Sequence, residues 1–205
     1  QNQRAVLAKF IMDKSGELYS KIFTFWPKIE LPGFERDQGY PVNDDIFDNL
    51  SEYYGDQIIT SVGVYKSQLY DNQKTTFFIY HLNTVVKAGE LYWAFEWGRR
   101  GIFVSVSDNK EDLIDLAKNA VCTKEVDAGE DVTIGKVFAW ILEERVKLTW
   151  ENGELEPDCD SYNLVFNNCK HFAKELYPVL TGDQALHFWD SIFVQCKDPP
   201  PTENH

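Results

Sequence analysis

A cysteine set between two asparagines and a helix-forming run constrains this chain more than any other feature. The segment is Tyr162-Asn163-Leu164-Val165-Phe166-Asn167-Asn168-Cys169-Lys170-His171-Phe172-Ala173-Lys174-Glu175-Leu176. Asparagine caps helices because its side-chain oxygen accepts a backbone N–H of the first turn. Phe172, Ala173 and Leu176 then recur at helical spacing. The spacing predicts a helix that opens at or just before Cys169, with Asn167 and Asn168 in the capping region. At that position the helix dipole favours a thiolate and lowers the thiol pKa. A nucleophile also needs a base and access, and a buried structural cysteine is the plainer use of the same residue.

The segment resembles the Asn-Cys-x-His-Phe motif of the circularly permuted papain-like proteins. These include the lecithin–retinol acyltransferase-like enzymes and the PPPDE peptidases. The match is close along the motif and looser from 75 to 180. The resemblance implies an α+β fold in which the cysteine helix packs on a small antiparallel sheet. It makes Cys169 the nucleophile of a cysteine hydrolase or acyltransferase acting on an acyl or amide carbonyl. It also implies a catalytic histidine earlier in the chain, at the start of a strand. The family pattern of a histidine, four or five strand residues and a glycine is best met by Tyr92-Trp93-Ala94-Phe95-Glu96-Trp97-Gly98, which puts Tyr92 at the position of the base. The third polar residue then falls near Val104 or Ser105. A phenol with a pKa near 10 is a poor proton acceptor at neutral pH.

Of the four histidines, His81 is the alternative base. It closes the apolar run Phe77-Phe78-Ile79-Tyr80, which reads as the strand before that of Tyr92; a structural role for His81 is the other reading. His171 lies two positions after Cys169, about 200° around a helix, so the two side chains point apart. His187 reads as a core-edge or surface residue, and His205 ends a Pro-rich tail.

The order of signals divides the chain into an N-terminal helix and ordered extension (1–74), a permuted papain-like domain (75–196) and a tail (197–205). Apolar residues between 4 and 25, including Phe10, Leu18, Ile22 and Phe23, suggest one amphipathic helix or two short ones broken at Ser15-Gly16. Their polar face mixes Lys with Asp and Glu, which suits docking onto the domain better than a membrane surface. Residues 27–74 read as an extension with a little β structure at 58–65. Three β runs follow, at 75–82, 91–97 and 102–106, with a turn at Gly98-Arg99-Arg100-Gly101. Trp93, Phe95 and Trp97 form an apolar face, and Glu96 reads as an outward residue beside Arg99. Helices are expected from 110 to 121, capped by Asp108 or Asn109, and from 134 to 146. A short strand at 147–150 and an acidic loop at 151–160 precede the Cys169 helix.

The net charge of −13 disfavours nucleic acid and anionic membranes as nonspecific partners. No apolar stretch of about eighteen residues marks a membrane span. No metal or cofactor motif is present: there is no phosphate loop, no dinucleotide fingerprint, no Cys-x-x-Cys and no His-Glu-x-x-His. Asp158, Cys159 and Asp160 read as a solvated acidic loop. The four cysteines are Cys122, Cys159, Cys169 and Cys196; Cys159 with Cys196 is a plausible disulfide. With the sequon Asn49-Leu50-Ser51, and Gln1 read as either a processed start or the start of the ordered part, they point to an extracellular or secretory origin.

Three readings follow. The first is the cysteine enzyme, taking an acyl- or peptide-type substrate, with Cys169 as nucleophile and His81 or Tyr92 as its partner. The second is a catalytically silent member of the same fold that binds a protein partner. The third is a binder of a hydrophobic ligand in a groove lined by Trp and Phe, which are abundant in this chain (aromatics 15%).

Overall fold

The computed structural model describes residues 23–42, 44–67, 80–98, 101–114, 120–141, 169–182 and 186. Within them the chain is α+β. Seven strands, β1 (Phe23–Pro27), β2 (Tyr40–Pro41), β3 (Ile59–Ser67), β4 (His81–Ala88), β5 (Leu91–Gly98), β6 (Gly101–Ser107) and β7 (Val121–Asp127), form one sheet in the order β2-β1-β6-β5-β4-β3-β7. Every neighbouring pair is antiparallel except β1 with β6. The described helices are α1 (Asp44–Tyr54), α2 (Lys110–Ile114), α3 (Ile134–Trp140) and α4 (Cys169–Thr181).

Side chains of paired strands alternate between two faces. On the first face, Phe23 and Phe25 of β1, Val62 and Val64 of β3, Leu82 and Val86 of β4, Trp93 and Phe95 of β5, and Val104 and Val106 of β6 are buried together. Phe138 of α3, Leu50 of α1, and Phe172, Leu176, Tyr177 and Leu180 of α4 complete this core. Trp93 is its centre. The fully buried indole lies 5.4 Å from Tyr54, 5.8 Å from Phe138 and 6.2 Å from Phe25, between ring centroids. The second face carries a smaller cluster of Tyr65, Val85, Ala94 and Leu113, capped by α2.

Local chemistry explains several joints. Thr133 caps α3, its Oγ1 accepting the N–H of Lys136 at 3.3 Å. Asn109 does the same for α2, accepting from the Glu111 N–H at 3.2 Å. Gly135 donates its N–H to the Gly55 carbonyl at 2.9 Å, and a Cβ there would sit 2.8 Å from that oxygen. Only glycine lets α3 lie this close to the end of α1. Between β4 and β5 the turn is Gly89-Glu90, with Gly89 at φ +58° and Ala88 paired to Leu91. A two-residue turn leaves no slack, so it fixes the register of the two strands.

The strands expected at 91–97 and 102–106 are β5 and β6, and the cysteine helix packs against β4 and β5 as expected. Other expectations are corrected. Phe23 belongs to a strand, not a helix, because it pairs with Ile102 and buries its ring beside Phe138 at 6.1 Å. The segment 27–74 is no appendage to the domain starting at 75: β3 lies between β4 and β7, and Leu50 and Val62 share the core of α4. Of the strand expected at 75–82, residues 75–79 lie outside the described residues, and β4 runs on from His81 to Ala88. Val121, expected at the end of a helix, opens β7. The expected helix at 4–22, strand at 147–150, acidic loop, Cys159–Cys196 pair and Pro-rich tail lie outside the described residues.

Candidate active site

Cys169 is the first residue of α4 and is buried, 2% exposed. Helix α4 is held over β4 and β5 by Phe172, whose ring lies 6.5 Å from Trp97 and 6.0 Å from Trp140. That docking delivers the first turn of the helix to the start of β4. There the Cys169 thiol donates to the Tyr80 carbonyl at 4.0 Å.

The next residue is His81. Its ring hydrogen-bonds the Cys169 side chain, and its Nε2 lies 3.2 Å from Oε2 of Glu96. The β4–β5 register explains the second contact. Thr84 pairs with Phe95, so continuing the ladder places His81 and Glu96 on one face as diagonal neighbours. Their side chains are 16% and 30% exposed. Cysteine, histidine and carboxylate therefore stand in a row, the order that a nucleophile, its base and an orienting group would take.

The electrostatics follow from this order. Burial opposes charge on His81, but the hydrogen bonds from Cys169 and Glu96, together with their negative charges, outweigh it and push the imidazole up to about 10. The coupling is mutual, since what a thiolate gives an imidazolium the imidazolium returns. Two ammonium groups stand close by. Lys170 Nζ lies 4.1 Å from the centroid of the Tyr80 ring, and Lys66 Nζ lies 4.5 Å from it. Burial lowers the Lys170 pKa, Cys169 counters that, and Lys66 adds repulsion.

His81, the alternative base, is thus the histidine brought to Cys169. It also begins a strand, the location implied for the catalytic histidine. Tyr92 is not brought there. It pairs with Lys87 and Ser107, sits under the Lys87 ammonium at 5.8 Å, and packs on the cluster of Tyr65 and Leu113. It lies four positions before Glu96, about 13 Å along β5. Val104 is in the main core and Ser105 pairs with Ala94, so neither orients the base. Asn167, Asn168 and His187 lie outside the described residues.

Glu96 is the site residue that the sequence reading assigned to the surface, beside Arg99. Its signal was the Gly89-Glu90 turn, which sets His81 and Glu96 on one face. Cys122 is a free, exposed thiol of the opposite kind: burial raises its pKa and Glu125 adds to the effect. No protein-family model matches the chain, and neither a curated protein nor a solved structure matches it.

Proposed function

We propose that this chain is a cysteine hydrolase or acyltransferase of the permuted papain-like type, acting on an acyl or amide carbonyl. The observation that carries the reading is His81, hydrogen-bonded at once to Cys169 and to Glu96. In the reaction Cys169 rests as a thiolate beside the His81 imidazolium, and the thiolate attacks the carbonyl carbon. A C–S bond forms and the carbonyl oxygen becomes an oxyanion. Backbone N–H groups at the start of α4, the positive end of its dipole, stabilise that charge. His81 then gives its proton to the departing alcohol or amine as the C–O or C–N bond breaks. Water, or an acceptor alcohol or amine, attacks the thioester while His81 takes its proton; the new C–O or C–N bond forms, the C–S bond breaks, and Cys169 leaves as the thiolate beside the protonated His81. Glu96 holds the ring in place and stabilises its charged form throughout.

The test is acylation by p-nitrophenyl butyrate followed by peptide mass spectrometry, with exposed Cys122 as the internal reference. The expected result is a butyryl adduct on Cys169 that forms faster than any on Cys122 at pH 7. It is absent in Cys169→Ser and at least about 100-fold slower in His81→Gln, the usual worth of a general base. Acylation of Cys169 no faster than that of Cys122 overturns the proposal. The second reading, a catalytically silent binding protein on the same scaffold, is favoured by one observation: Cys169 is 2% exposed.

A further inference from the structure

His81 does not stand among apolar neighbours. Directly across the ladder on β3 its registered partner is Ser67, and two residues along its own strand on the same face is Asn83, registered with Tyr65. Both are 1% exposed. Ser67 Oγ and Asn83 Oδ1 are buried without a hydrogen-bond partner, while the amide nitrogen of Asn83 donates to the Leu113 carbonyl at 3.5 Å, the long limit of such a bond. An unmatched buried polar atom costs about 1–3 kcal/mol, and an apolar residue of similar shape removes the cost. Two such atoms side by side, both on the face of the histidine, cost the fold stability that leucine and alanine would restore. Sequence choices that oppose stability concentrate where function is held.

We propose that Asn83 and Ser67 support His81 electrostatically, placing unengaged acceptor oxygens on its flank that favour the charged ring while its two nitrogens meet Cys169 and Glu96. This inference rests on the cysteine–histidine–glutamate reading above. A buried imidazolium is favoured by oxygens whose lone pairs are not otherwise engaged. Charged and titratable groups around the ring are few among the described residues. Glu96 from β5 and Cys169 from α4 act on it directly; Lys66 of β3 and Lys170 of α4 meet the ring of Tyr80, the residue before it, and Tyr65 lies on the same face of β3, its ring centroid 5.5 Å from Lys110 of α2. Ser67 and Asn83 are the uncharged polar residues flanking the ring on its own face of β3 and β4.

The test is the pH titration of the His81 Cε1–H resonance, assigned by its loss in His81→Gln, together with thermal melts. The variants are Asn83→Leu and Ser67→Ala, with Thr84→Val as control. Thr84 also buries an unpartnered hydroxyl, but its side chain is on the opposite face of β4. All three variants are expected to melt at or above the wild-type temperature. Asn83→Leu and Ser67→Ala are each expected to lower the His81 midpoint by about one pH unit, and Thr84→Val to leave it in place. Ser67→Ala removes a single atom and keeps the test alive should Asn83→Leu not fold. Wild-type titration well above pH 6.5 with both variants unmoved overturns this inference alone. A wild-type midpoint near 6.5 overturns the ion pair, and this inference with it.

Discussion

Replacing Glu96 with glutamine isolates the charge of the third residue from its shape. Lifting an imidazole from 6.5 to about 10 corresponds to about 5 kcal/mol in favour of the charged ring. That preference survives the opposing cost of burial and is shared between Cys169 and Glu96. A carboxylate in contact shifts a neighbour by about 1–3 pH units. Glu96 touches the ring at 3.2 Å but is itself 30% exposed, which screens part of its effect. Glu96→Gln should therefore bring the His81 midpoint down to about 7–9, with Cys169 still holding the remainder. Titration of the His81 resonance reads the midpoint directly. Iodoacetamide labelling of Cys169 reads the consequence. Once the ring loses its proton the thiolate loses its counter-charge and becomes more nucleophilic, so the alkaline rise in rate moves down with the midpoint. A Glu96→Gln midpoint that stays with the wild type refutes the assignment of Glu96 as an electrostatic partner.

Stability should carry the same signature. The His81 pKa is raised in the folded state, so its contribution is complete below about pH 6.5 and is lost as pH climbs toward about 10. Urea melts should show the wild type losing its advantage over His81→Leu across that window. Tyr92→Phe should leave the Cys169 labelling rate within about twofold of wild type, since some 13 Å of strand separates the phenol from Glu96; a large loss would restore tyrosine as the base. Thr133→Ala should cost about 1 kcal/mol through the lost α3 cap, seen as a shifted denaturant midpoint with an unchanged Cys169 labelling profile.

Signals confined to neighbouring residues were legible in the sequence. The Asn-Cys start and the Phe172, Ala173, Leu176 spacing marked α4, and the alternation of Trp93, Phe95 and Trp97 marked β5 and its buried face. Residues whose conformation is decided by distant partners were not. Phe23 and Phe25 fit a helical or an extended reading until β6 supplies the parallel ladder that selects the strand. Val121 begins a strand of mixed charge with no fully buried residue, whose β form comes from pairing with β3. The candidate base was obscured in a related way. A motif pattern favoured Tyr92 because it counts residues along the chain, whereas the site is assembled across strands. His81 meets Glu96 through the register of a two-residue turn, and meets Cys169 because α4 returns to the start of β4.

The parallel pairing of β1 with β6 bears on how the molecule reaches this state. Every other regular pair within the sheet except β3 with β7 can be closed by short excursions of the chain, but Phe23 must wait for Ile102. Contacts of such separation incur their entropy loss before they return any stabilisation, and they slow folding. On a ribosome, Phe23 and Phe25 remain uncovered until β6 has been made, and α4 has no completed sheet to settle on until then. The early chain is an aggregation-prone intermediate for that interval. A chaperone that shields the first strand is the kind of help this topology calls for.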